Sequence, residues 1–209
     1  HNWYYGMLGT NESLYGWMDE GFTTYAEDRV QAFLDGNKGF AYDGTYRGYV
    51  GLAKSGKEEP LTIHADHFNL NSAYGAAVYS KGGVFMEQLG YIVGAPVRDK
   101  ILLEYYKQWR FKHPNSNDLI RVAEQVSGIQ LDWYKEYWVN TTKTIDYKID
   151  SLWEESGVSR IRLRRVGQMP MPIDLQLTFK DGSTEMVYVP LNLMFGVKPN
   201  ENGSQKREI

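Results

Sequence analysis

Cysteine is absent from the 209 residues, which excludes disulfides and thiolate metal sites and leaves the compartment open. No apolar run approaches the roughly 18 residues that a membrane-spanning helix needs, so no transmembrane segment is encoded. A large charge of one sign is lacking too: 23 basic against 26 acidic residues leave a net of -3, which gives no electrostatic reason for a nucleic-acid partner. An initiating methionine and a signal segment are also missing. The chain opens on His1, as a processed product or a piece of something longer does. What is present is the composition of a folded chain, 42% hydrophobic and 23% charged, with a length of one domain and a remainder.

Helical spacing dominates the first two thirds. Over 15–34 the apolar residues Met18, Phe22, Tyr25, Ala26, Val30 and Phe33 recur every three or four positions, and Gly36 stands where a helix-ending glycine belongs. The glycine- and proline-rich stretch 37–71 reads as a long surface excursion with little regular structure. A second helix is expected over 72–93 despite Gly75, Gly82, Gly83 and Gly90. Glycine costs up to about 1 kcal/mol per helix position, so that many imply close packing or a functional neighbour. Pro96 fits the first turn of a third helix reaching about Lys112. Asn115 to Asn117 offer caps for a fourth that carries Leu119, Val122, Ala123 and Val126 and ends at Gly128. A short aromatic fifth helix covers 131–139. Tyr105, Tyr106, Trp109, Trp133, Tyr134, Tyr137 and Trp138 fall at helical spacing, which points to core rather than to a sugar-binding surface.

Near Thr141 the period changes to two, through Ile145, Tyr147 and Ile149, then Ile161 and Leu163, then Ile173 to Phe179, then Met186 and Tyr188. Asp181-Gly182 marks a hairpin between the last two runs. The polar end from about Lys198 reads as frayed. Helices followed by strands give an α+β chain with a domain boundary near Thr142.

The chemistry concentrates in the first residues. His1 is followed, after eighteen others, by Glu20 within Trp17-Met18-Asp19-Glu20-Gly21. A histidine and a glutamate so spaced converge on one metal if the chain turns back between them, and zinc accepts both ligand types at about 2.0–2.2 Å. The Gly6 to Asn11 segment supplies such a turn.

This segment resembles the zinc aminopeptidases of the aminopeptidase N and leukotriene hydrolase family, whose signature is His-Glu-x-x-His, eighteen residues, then Glu. His1 matches the second histidine, and Glu20, with Trp17 and Gly21, the third ligand; Met18 and Asp19 replace the usual Leu and Asn. Tyr79-Ser80-Lys81-Gly82-Gly83 resembles the family's Tyr-x-Lys-Gly segment, where the tyrosine serves catalysis. Phe111-Lys112-His113-Pro114, Asp118-Leu119, Ser127-Gly128, Leu131-Asp132-Trp133 and Trp138 resemble the helices that close the catalytic domain. Gly167-Gln168-Met169-Pro170-Met171-Pro172 and its strands look like the opening of the β-sandwich that follows.

The resemblance implies a mainly α chain with a C-terminal β segment. Residues 1–142 would be the C-terminal helical part of a thermolysin-like catalytic domain, and 143–209 a partial β-sandwich. It implies peptide substrates, a Zn2+ cofactor, His1 and Glu20 as metal ligands and Tyr79 as the catalytic oxyanion donor. The signature's first histidine and general-base glutamate would lie four and three residues before His1, and the Gly-x-Met-Glu-Asn segment is likewise outside the chain. The chain is therefore expected to be an inactive fragment that holds little or no zinc by itself. Two readings share the same residues: a non-catalytic scaffold or binding module, and an epoxide hydrolase of the same fold. His64-Ala65-Asp66-His67 reads as loop polarity rather than a second metal pair, Lys81 as structural, and Arg160, Arg162 and Arg164 as a solvated strand face.

Overall fold

Residues 2–36 and 38–192 are described by the computed structural model; His1 and the polar end from Lys198 lie outside them. The chain divides into two units, His1–Thr142 and Lys143–Ile209.

Described elements of the first unit are nearly all helical. α1 (Glu12–Leu34) starts at Asn11, whose side chain accepts from the N–H groups of Ser13 and Leu14, and kinks at Tyr15. Its buried residues all lie between Gly16 and Tyr25. The expected stripe therefore fails in its second half, where Val30 is 59% and Phe33 73% exposed. Gly36 takes the left-handed conformation, φ 74°, just past the helix end.

The stretch expected to be irregular holds α2 (Asp43–Lys54), which buries Thr45, Tyr49 and Leu52. Its three glycines concealed it. One of them, Gly48, lies so close to Ser80 that a Cβ would strike the hydroxyl. A single 3₁₀ turn, Ala65–His67, follows.

The helix expected over 72–93 is three pieces: α3 (Asn71–Gly75), a π-helical turn (Ala76–Lys81) and α4 (Gly82–Val93). α5 (Ala95–Trp109) carries its proline in the first turn and stops three residues before Lys112. α6 (Ser116–Ser127) has both halves of a capping box, Asn115 with Asp118, and ends on left-handed Gly128. α7 (Asp132–Asn140) completes the set.

The core sits where α1, α4, α5 and α7 bring aromatic rings together. Trp17 meets Phe85 edge-on at 4.9 Å, and Phe22 meets Tyr105 at 5.9 Å. Tyr134 is wholly buried and donates to the Phe85 carbonyl at 2.6 Å, which satisfies its one polar group.

The second unit contains two antiparallel hairpins. β1 (Tyr147–Glu155) pairs with β2 (Val158–Arg165) across Ser156-Gly157, both at positive φ as a tight hairpin turn requires. β3 (Ile173–Thr178) pairs with β4 (Thr184–Val189) around the Asp181-Gly182 signal, with Gly182 at φ 84°. Arg160, Arg162 and Arg164 are exposed along β2. The chain is thus α-rich first and antiparallel β afterwards, as its periodicities required.

Candidate active site

Glycine positions the site. A Cβ on Gly21 would lie 2.6 Å from the Gly82 Cα and 3.0 Å from the Val78 carbonyl oxygen, and one on Gly82 would lie 2.9 Å from the Gly21 Cα. α1 and the end of the π-turn therefore touch backbone to backbone. The residue before Gly21 is Glu20, and Tyr79 lies one turn before Gly82, so this contact brings the two side chains together.

The Tyr79 hydroxyl hydrogen-bonds the Glu20 carboxylate. That bond, then partial desolvation and the Glu20 charge, push the phenol well above its ordinary value. Both residues lie toward the surface: Glu20 is half-buried and Tyr79 is 40% exposed. The surroundings are rich in acidic groups. Tyr5 is held up by the charges of Glu12 and Asp19, and Tyr74 by partial burial and then Glu20, Glu12 and Asp19. Asp19 itself is buried with its Oδ1 unpartnered. Burial first, then the Glu20 and Glu12 charges, push its carboxyl up to about 7.

Of the residues singled out from the sequence, Glu20 and Tyr79 are adjacent, and His1 lies outside the described residues. His64 and His67 lie with ring centres 5.0 Å apart and planes tilted by 38°, and His64 Nδ1 accepts the Asp66 N–H, so that ring caps its own 3₁₀ turn. Among the described residues no three His, Cys, Asp or Glu side chains converge on a metal position. Lys81 is buried and ion-paired to Glu58 at 2.7 Å. Glu58, Glu12, Tyr5 and Tyr74 escaped the sequence reading. None stands at a revealing spacing from the residue it meets.

The model of the peptidase family M1 domain matches residues 1–138, and the chain belongs to that family. It is 27% identical over 131 residues to an aminopeptidase N of Streptomyces lividans, covering 60% of this chain and 15% of that protein. It is 26% identical over 125 residues to a leukotriene A-4 hydrolase homolog of Botryotinia fuckeliana, covering 56% of this chain and 19% of the relative. The chain thus spans under a fifth of the length of these two curated relatives. In fold it is similar to an M1 zinc metallopeptidase of Deinococcus radiodurans, with a TM-score of 0.55 at 21% identity over 66% of this chain and 30% of the other.

That neighbour is a zinc enzyme by name, and the residues present bear on whether this chain could take part in holding the same metal. Glu20 offers a hard oxygen donor at the rim, and Glu12, Asp19 and Glu20 together raise the pKa of Tyr5 and Tyr74. A cation relieves such a concentration of acidic groups, and the Asp19 Oδ1 is buried without a partner beside them. Among the described residues Glu20 is the donor that the family resemblance assigns to zinc, and its chemistry is compatible with that metal.

Proposed function

We propose that this chain carries the zinc-ligand and oxyanion side of an aminopeptidase that removes N-terminal residues from peptides. His1 and Glu20 would hold the metal, and the two hairpins of the second unit would open a β-sandwich. The observation that carries the reading is the hydrogen bond between Tyr79 and Glu20, the two described residues the family resemblance assigns to the reaction. Bound zinc would supply Lewis acidity toward the scissile carbonyl and toward water.

The chain's own residues act around that centre. The Gly21–Gly82 contact fixes the backbone beside Glu20, and the Tyr79 hydroxyl donates to its carboxylate. Tyr79 keeps its proton at neutral pH, because its pKa is raised from a value that is already near 10. A protonated phenol that turns its O–H from the Glu20 carboxylate would donate to the oxygen that becomes negative as the carbonyl turns tetrahedral, and would return to Glu20 when the carbonyl re-forms. The 209 residues contain no His-Glu-x-x-His, and in the proposed reading a longer parent would supply the general base and the remaining ligand.

The test uses a protein extended upstream through the whole catalytic domain, with zinc content and hydrolysis of aminoacyl anilides as readouts. Glu20→Ala is expected to lose stoichiometric zinc. Tyr79→Phe is expected to keep zinc and lose about 10²–10³-fold in turnover. Unchanged turnover in Tyr79→Phe sinks the oxyanion role. Zinc or peptide binding without turnover in the extended wild type would favour a scaffold. The 209-residue chain alone is expected to show no aminopeptidase activity.

A further inference from the structure

The π-turn that carries Tyr79 ends on a buried charge that the proposed reaction does not use. Lys81 is 1% exposed, and its Nζ lies 2.7 Å from the Oε1 of Glu58, whose side chain is 5% exposed. The same ammonium donates to the Thr141 carbonyl at 2.9 Å. It therefore ties together three separate pieces of chain: the π-turn, the segment after α2, and the residue after α7.

Buried ion pairs are poor stabilisers. Desolvating two charges costs several kcal/mol per ion, and a well-packed apolar replacement is often as stable. The placement of this one offers a different use. Residues two apart on a helical turn point to opposite sides. Lys81 is directed into the unit while Tyr79 is 40% exposed. The turn is also a wide one, the Gly82 N–H reaching back to the Ala77 carbonyl. Such π-turns have poorer intrinsic stability than α-helix and recur at functional sites. The wide turn thus presents Tyr79 on one side and is clamped from the other.

We infer that Lys81, through Glu58 and the Thr141 carbonyl, is a positioning residue that fixes the π-turn and with it the aim of the Tyr79 hydroxyl. The inference rests on the catalytic reading of Tyr79. It assigns Lys81 no contact with substrate or metal.

The experiment is a double-mutant cycle in the extended, zinc-loaded enzyme: Lys81→Met, Glu58→Gln and Tyr79→Phe, alone and combined. A misplaced catalytic group costs up to about 10²-fold. Lys81→Met is accordingly expected to lower kcat by about 10–10²-fold, with KM within about two-fold and zinc unchanged. In the Tyr79→Phe background the same substitution is expected to cost less than about two-fold, because there is no hydroxyl left to aim. A kcat loss of the same size in both backgrounds, or one matched by loss of zinc, overturns the inference.

Should Lys81→Met fail to fold, two other variants decide. Glu58→Gln keeps the shape and weakens the clamp, and Lys81→Met with Glu58→Gln removes the uncompensated carboxylate. Both are expected to show the same dependence on the Tyr79 hydroxyl, and equal losses with and without it count against the inference. Full activity in Tyr79→Phe alone would fell the catalytic reading of Tyr79 on which the inference rests, and that single variant reads it out independently of Lys81.

Discussion

Gly21 and Gly51 occupy helices of the same unit, yet replacing each by alanine should move stability in opposite directions. At Gly21 the added Cβ meets the backbone of Gly82 and Val78, which cannot swing aside, so α1 and the π-turn must separate. Overpacking of this kind costs about 1–3 kcal/mol. The same separation carries Glu20 away from Tyr79. At Gly51, within α2, nothing lies within 4 Å of the new atom. The helical preference of alanine then stabilises by roughly 0.5–1 kcal/mol. Thermal melts of Gly21→Ala and Gly51→Ala check both signs, and a Gly21→Ala protein as stable as wild type would refute the close contact. The sequence marked Gly75, Gly82, Gly83 and Gly90 as signs of close packing or a functional neighbour, and close packing is found at the last three but not at Gly75. It carried no information on which partner each would meet, since Gly82 is far from Gly21 along the chain.

Among the elements, α6 shows how completely local chemistry can specify a helix. Asn115 accepts the N–H groups of Asn117 and Asp118 at 2.9 and 3.4 Å, and Asp118 returns the favour to the Asn115 N–H at 3.0 Å. Gly128 closes the other end in the left-handed region. Asn115→Ala removes the cap and should cost about 1 kcal/mol, read as a lower urea midpoint with an unchanged slope. No effect would mean that packing of Leu119 and Val122 alone holds the helix. α2 is the opposite case. With Gly44, Gly48 and Gly51 in twelve residues it has little propensity of its own. Its helical form depends on burying Tyr49 and Leu52 and on Gly48 lying against Ser80. The π-turn is further still from local control. No propensity selects an extra residue in a turn, and the clamp at Lys81 involves Glu58 and Thr141 from elsewhere in the chain.

For the whole molecule, the aromatic core makes alkaline pH a directed stress. Burial raises Tyr49, Tyr105 and Tyr134 above the ordinary phenol value. Unfolded, each would ionise near pH 10; folded, each keeps its proton to higher pH. The native state therefore binds more protons than the unfolded one in that window, and stability falls as pH rises through it. The loss approaches about 1.4 kcal/mol per pH unit for each tyrosine. Lys81, whose pKa burial lowers from 10.5, acts in the opposite sense below that pH and ceases to contribute above it. Urea midpoints measured between pH 8 and 11.5 should decline above pH 10. Phenolate absorbance of the buried rings should rise together with the loss of helical circular dichroism. Ionisation of these rings well before unfolding would contradict their burial.

At this scale the division of information is clear. Period, caps and turn chemistry along the chain were enough to place α5, α6, α7 and the hairpin at Asp181-Gly182, to set α before β, and to mark His1, Glu20 and Tyr79 through a family resemblance; the turn at Ser156-Gly157 that joins β1 to β2 went unread. These signals are local, because hydrophobic spacing and turn chemistry act over a few residues. Tertiary structure alone decided that α2 is a helix, that the segment around Tyr79 is a π-turn, and that Glu20 meets Tyr79 across a glycine contact. It also decided that Lys81 and Glu58 lie buried together beneath that turn. Each of these depends on which backbone can approach which, a property of the assembled unit that no short stretch of sequence contains.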